Sequence, residues 1–182
     1  MRLRYLLAAF AVIFLPATVQ AQSNKPQQQI IMGWVENVFV EDIDAKLKAK
    51  LDTGATTSSM RAEVVNVVRP AYKEGEKKPK RRVIFQIEDA DGKTDTLERQ
   101  LVRWVRIKDK KGGYQRRPVV VMEFCVAGRL VQSEVNLAPR KDFVYPVLVG
   151  RNMLRDGGII VDPSKTFTAH ARCPKPQKAS EK

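Results

Sequence analysis

Residues 46–51, Lys-Leu-Lys-Ala-Lys-Leu, alternate lysine with small or apolar side chains and run straight into Asp52-Thr53-Gly54-Ala55. A two-residue period of this kind sets one face of a strand in a core and the other in water. Asp52 therefore stands on a turn at the end of a half-buried strand. The rest of the chain is punctuated in the same way. Short apolar or alternating runs at residues 30–40, 64–68, 83–88, 94–107, 118–126, 129–137, 145–149, 158–161 and 166–171 are separated by turn signals such as Asp91-Gly92, residues 108–113 and Ala127-Gly128. Residues 152–155 read as a helical turn, and residues 69–82, rich in Lys, Glu and Pro, break the pattern as a loop. That succession predicts an all-β barrel or sandwich with one short C-terminal helix. No internal repeat is visible.

The two ends fall outside this pattern. Arg2 and Arg4, the apolar run from Tyr5 to Leu15, Pro16 and the small residues Val19 and Ala21 make residues 1–21 a secretory signal, cut after Ala21. The run is short for a membrane span, which takes about 20 apolar residues; the alternative reading is an uncleaved anchor. Residues 22–29 are expected to be a disordered leader and residues 174–182 a disordered tail, which leaves one domain at residues 30–173. The signal implies a periplasmic or otherwise exported protein. Formal net charge is +13, and of that excess only Arg2 and Arg4 would leave with the signal. Such a balance implies attraction to something acidic. Nucleic acid is not expected, since no recognition motif is visible. Cys125 and Cys173 allow a single pairing, and in an oxidising compartment the choice lies between that disulfide and two free structural thiols.

Hydrolysing a peptide bond without a metal or a side-chain nucleophile takes two carboxylates, one to activate water and one to protonate the leaving side. Held a few ångströms apart, they share a proton and titrate as a pair. A glycine behind such a carboxylate lets the backbone approach and donate, and a hydroxyl residue between them locks the turn. Asp52, Thr53 and Gly54 meet these demands, although a triplet of this kind standing alone reads first as an ordinary turn with a satisfied Asp. This one continues as Ala55-Thr56-Thr57-Ser58-Ser59 and is answered downstream by Val147-Leu148-Val149-Gly150-Arg151-Asn152-Met153-Leu154. The chain holds one such triplet, so a dyad requires a second copy on a two-fold axis, a homodimer.

In this order and spacing the two segments resemble those of retroviral aspartic proteases. More closely, residues 30–170 resemble a bacterial retropepsin-like family of RimB type, often labelled ATP-dependent zinc proteases. The likeness rests on Lys50 to Ser58, Val149 to Leu154 and Val161-Asp162-Pro163-Ser164. It implies a retropepsin-like acid-protease barrel. It also implies that Asp52 is the catalytic carboxylate, that Thr53 hydrogen-bonds across the dimer axis and that Gly54 holds the carboxylate through its backbone. Ala55, Thr57, Gly150, Arg151 and Asn152 would support the turn. Thr56 stands where that family often carries Arg or Lys, and the glycine-rich flap of the retroviral enzymes has no clear counterpart; residues 69–82 and 108–113 are the segments available. Zinc finds no support, because His170 is the only histidine and the two cysteines are widely spaced. Nor is there a Gly-rich phosphate loop followed by Lys and Ser or Thr. No metal or cofactor is expected, and His170 reads as a surface or structural residue.

Two functions follow. The first is an exported aspartic peptidase that hydrolyses a peptide or protein substrate with an Asp52 dyad formed across a homodimer. The second keeps the fold without catalysis, as a binding or regulatory module. Its basic surface, Lys77, Lys78, Lys80, Arg81 and Arg82 with the cluster at residues 108–117, would hold an anionic peptide, lipid or envelope partner.

Overall fold

In the computed structural model, residues 28–108, 112–139, 143–169 and 172–173 are described. The expected signal and tail, most of the leader and His170 lie outside them. The alternation at residues 46–51 becomes β2 (Ala45–Leu51), with Ala45, Leu47, Ala49 and Leu51 buried and Lys46 and Lys48 exposed. It is preceded by β1 (Ile30–Val40), joined through one 3-10 turn at Glu41–Ile43 that ends on Asp44 with φ 49°. After the Asp52 turn come β3 (Ser58–Arg61), β4 (Glu63–Val68), β5 (Arg82–Glu88), β6 (Thr94–Gln100), β7 (Arg103–Lys108), β8 (Tyr114–Val126) and β9 (Arg129–Ala138). The chain closes with β10 (Val147–Val149), α1 (Arg151–Asp156) and β11 (Ile159–Thr166).

One sheet has the order β11-β1-β2-β10-β3-β9-β8-β7. The end of β1 pairs also with β8, Phe39 opposite Cys125 and Val40 opposite Phe124, and this closes β1-β2-β10-β3-β9-β8 into a barrel. Closure removes sheet edges that would otherwise carry unpaired backbone groups. β4-β5-β6 form a separate three-stranded sheet. Phe85 and Ile87 of β5 share one buried cluster with Met32, Met60, Phe124 and Met153, so the small sheet packs on the barrel rather than standing alone. The predicted all-β architecture with one short C-terminal helix is what the chain adopts.

Element boundaries depart from the sequence reading where tertiary pairing overrides local pattern. Residues 94–107 are two strands in different sheets, because the chain crosses at Leu101 and Val102: the Leu101 N–H donates to Arg81 O, and the Val102 N–H donates to Val119 O. β8 begins at Tyr114, not at Pro118. Pairing with β9 starts at Val119, which leaves Pro118 beside β7 alone, where a missing N–H is tolerated as on an edge. In place of the expected strands at residues 158–161 and 166–171, the described residues form one strand, β11, continuous over Ile159–Thr166 and ending where Phe167 takes φ 53°; residues 170 and 171 lie outside the described residues. β3 has no counterpart in the sequence reading, its residues being mostly polar.

The C-terminal segment is fastened to the barrel twice. Cys125 and Cys173 form a disulfide, with Cα atoms 5.6 Å apart. Glu36 on β1 is fully buried. Its Oε1 accepts from the Gly33 and Thr168 N–H groups and the Thr168 hydroxyl at 2.7, 2.9 and 2.6 Å, and its Oε2 accepts from the Ala169 N–H at 3.1 Å. Four donors onto one carboxyl group remove the heavy cost that a bare buried carboxyl would carry.

Candidate active site

β2 delivers Asp52 to the end of the sheet, where its N–H donates to Val149 O at 2.8 Å and so ties the turn to β10. The chain then folds back on the side chain: Gly54 and Ala55 N–H donate to Asp52 Oδ1 at 3.0 and 3.2 Å. Oδ2 accepts from Lys50 Nζ at 3.2 Å. Arg151, the first residue of α1, clamps the turn from the far side. Its N–H donates to Ala55 O at 2.9 Å, its Nη1 to the Thr53 and Gly54 carbonyls at 3.1 Å each, and its Nη2 to the Thr56 hydroxyl at 3.1 Å. The planar guanidinium fork reaches three acceptors at once, which a lysine ammonium on a flexible stem would not hold in one geometry.

Behind the turn, Gly150 lies against Thr57. A Cβ there would come within 2.6 Å of the Thr57 carbonyl carbon, so the site accepts no side chain. Ser58 and Asn152 stitch this layer together. The Gly150 N–H donates to Ser58 Oγ at 3.0 Å, while Ser58 N–H and Oγ–H donate to Asn152 Oδ1 at 2.8 and 2.9 Å. Asn152 Nδ2 in turn donates to Ser133 Oγ and Glu134 O at 2.9 and 2.7 Å, and Asn136 Nδ2 donates to Ser58 O at 2.6 Å. Ser58, Ser133 and Asn136 are buried. Every polar atom of this layer therefore needs its partner, and the network holds the turn in one conformation.

The carboxyl group itself is accessible, with 26% of the Asp52 side chain exposed. Partial burial raises its pKa, but the Lys50 hydrogen bond, the Gly54 N–H, the Lys50 charge and the Ala55 N–H together outweigh that and hold it below the ordinary value. Thr53, Gly54 and Thr56 are exposed, so the turn presents an open face. Val35 on β1 lies opposite Lys50, hence the earlier residues of β1, with β11 beside them, run past the end of β2 on the side of the Asp52 turn. There Ile31 and its register partner Ile160 are 65% and 45% exposed.

The family model described as retropepsin-like aspartic endopeptidase RimB matches residues 31–172. The chain belongs to the RimB-like family. Among solved structures, that of a Legionella pneumophila protein of unknown function shares 32% identity with this RimB-like chain over 79% of its length and all of the other, with a TM-score of 0.63. The solution structure of simian foamy virus (mac) protease is more distant, at 21% identity, 66% and 91% coverage and a TM-score of 0.36. No curated protein matches the chain.

In the RimB-like chain the residues expected at the site are therefore neighbours: Asp52, Thr53, Gly54 and Ala55 form the turn, Arg151 clasps it, and Thr57, Gly150 and Asn152 lie behind it. Sequence reasoning missed Lys50, Ser58, Ser133 and Asn136. For Lys50 the signal was present, since residues two apart on a strand share a face. The polar residues of β3 and β9 gave none. Lys77, Lys78, Lys80, Arg81 and Arg82 stand apart from the turn's hydrogen bonds, exposed on and after the β4–β5 connection, with Arg82 paired to Glu98. Among the described residues, one group of metal-ligand atoms converges, Glu41 with Cys125 and Cys173 within 4.8 Å of one another. The two sulfurs are bonded to each other and do not act as thiolate ligands, so the residues present do not fit a zinc centre.

Proposed function

We propose that this chain is an exported aspartic endopeptidase whose working unit is a two-fold homodimer, with one Asp52 from each copy forming the catalytic pair. The observation that carries the reading is the Asp52 turn itself: a carboxylate gripped by two backbone N–H groups, locked by the Arg151 fork, and open on the side a second copy would cover. Membership of a family described as aspartic endopeptidases supports it. The exposed Ile31–Ile160 pair beside the turn gives a second copy an apolar contact. In the pair, two carboxylates too close to ionise together retain one proton. The ionised member draws a proton from water as the water attacks the scissile carbonyl, and the protonated member gives its proton toward the leaving side. Thr53 would brace the two turns across the axis.

The test is peptide hydrolysis by the purified chain. Asp52→Asn is expected to abolish turnover while leaving melting temperature and oligomeric state intact, and the wild-type rate is expected to be bell-shaped in pH. Cleavage undiminished in Asp52→Asn would end this reading. One observation favours the non-catalytic alternative: the uniformly exposed run Lys77, Lys78, Lys80 and Arg81, a surface suited to an anionic partner. Salt-sensitive binding that survives Asp52→Asn but not removal of those charges would select it.

A further inference from the structure

Lys50 and Asp52 leave the end of β2 on the same side, and Lys50 Nζ lies 3.2 Å from Asp52 Oδ2. The turn's own N–H groups take Oδ1, so the ammonium holds the oxygen the turn leaves open. Other charges near the turn are directed elsewhere. From α1, the Arg151 guanidinium bonds the Thr53 and Gly54 carbonyls and the Thr56 hydroxyl. From β3, Arg61 donates to Phe143 O, and from β9 the Glu134 carboxylate meets Arg103. β10 contributes Val147, Leu148 and Val149. On β1, Glu36 is occupied by Gly33, Thr168 and Ala169. Among the described residues Lys50 is thus the charged side chain in contact with the carboxylate.

We propose that Lys50 is a positioning residue of the Asp52 pair: it orients each carboxylate through Oδ2 and sets the pH range over which the two copies share one proton. The proposal rests on the hydrolase reading above. A pair of this kind works only while it holds a single proton, and a cation beside each member favours release of that proton. The working range is therefore displaced toward acid, and removing the cation returns it upward. The pair is partly exposed, Lys50 by 42% and Asp52 by 26%, so added salt weakens the effect. Lys50 packs into no core, which lets it be replaced without loss of the fold.

The experiment compares the full chain with its Lys50→Met, Lys50→Gln and Lys50→Arg variants, each checked for native melting. Rate against pH is measured on a mixed peptide library, and the Asp52 carboxyl carbon is titrated by NMR. In Lys50→Met and Lys50→Gln both limbs of the pH profile are expected to move to higher pH. The rate at the wild-type acid half-maximum should fall about threefold or more, and Lys50→Arg should restore the wild-type profile. The Asp52 carbon midpoint should move in parallel. A uniform loss of rate with superimposable pH profiles, or an unmoved midpoint in Lys50→Met, overturns the proposal. If no chain cleaves but the midpoint still rises in Lys50→Met and falls back in Lys50→Arg, the hydrolase reading fails and the Lys50–Asp52 coupling stands.

Discussion

Asn152 shows how much of this site depends on single polar atoms. Its carboxamide joins Ser58 of β3 to Ser133 and Glu134 of β9. Truncation in Asn152→Ala strands the Ser58 N–H in a buried layer and is expected to cost about 2–3 kcal/mol in urea denaturation. Gly150→Ala should do similar harm by contact, since its Cβ would meet the Thr57 carbonyl carbon at 2.6 Å. Asp162 allows a cleaner test in pH. The Ser164 hydroxyl and N–H, then Lys165, draw its pKa from 3.8 to about 2. A carboxyl depressed on folding stabilises above its unfolded value and loses that contribution as pH falls through the folded one. Asp162→Asn should therefore flatten the melting temperature against pH between 3.8 and about 2, with the curves parallel above that window. The Gly-Arg-Asn segment was legible through its resemblance to a family pattern, and the structure supplies the physical use of its residue types: a close approach, a forked donor and a double-ended amide. Ser58, Ser133 and Asn136 were not, because a buried serine on a strand looks like any exposed one until its neighbours are known.

Among the elements, β1 and the C-terminal segment form the joint most open to perturbation. The disulfide spans 48 residues of sequence, and replacing both cysteines by alanine should lower stability by about 2–4 kcal/mol, read by denaturant unfolding with and without reductant. Glu36 holds residues 168–169 independently, so local opening near Cys173 should precede global unfolding in hydrogen exchange of the alanine variant. Apolar or alternating runs located β1, β2, β5 and β9 nearly to the residue, and of these β2 and β5 alternate cleanly against the core. It failed at residues 94–107, where one alternating run serves two sheets. No local pattern records that Leu101 reaches back to Arg81 while Val102 joins β8.

For the molecule as a whole, the proposed hydrolysis turns on the proposed pairing of two copies. If the turn is completed by a second copy through Ile31 and Ile160, the substitution Ile160→Lys should shift sedimentation from dimer to monomer and reduce activity at least about tenfold at low protein concentration. The change lies on a 45% exposed side chain, so the fold should survive it. Unchanged sedimentation with full activity would place the contact elsewhere. The basic excess that remains once Arg2 and Arg4 leave with the expected signal opposes self-association, so the proposed dimer should tighten as salt is added, up to physiological strength.

By itself the sequence determined the all-β class, the short C-terminal helix, the family and the carboxylate turn. Each of these is written in short-range signals: a period of two, a glycine where backbones must touch, an Asp-Thr-Gly after a strand. Tertiary structure alone decided which buried hydroxyls and amides hold the turn, and where the chain passes from one sheet to the other. Those depend on residues far apart in sequence arriving within hydrogen-bond reach, and barrel closure sets that distance.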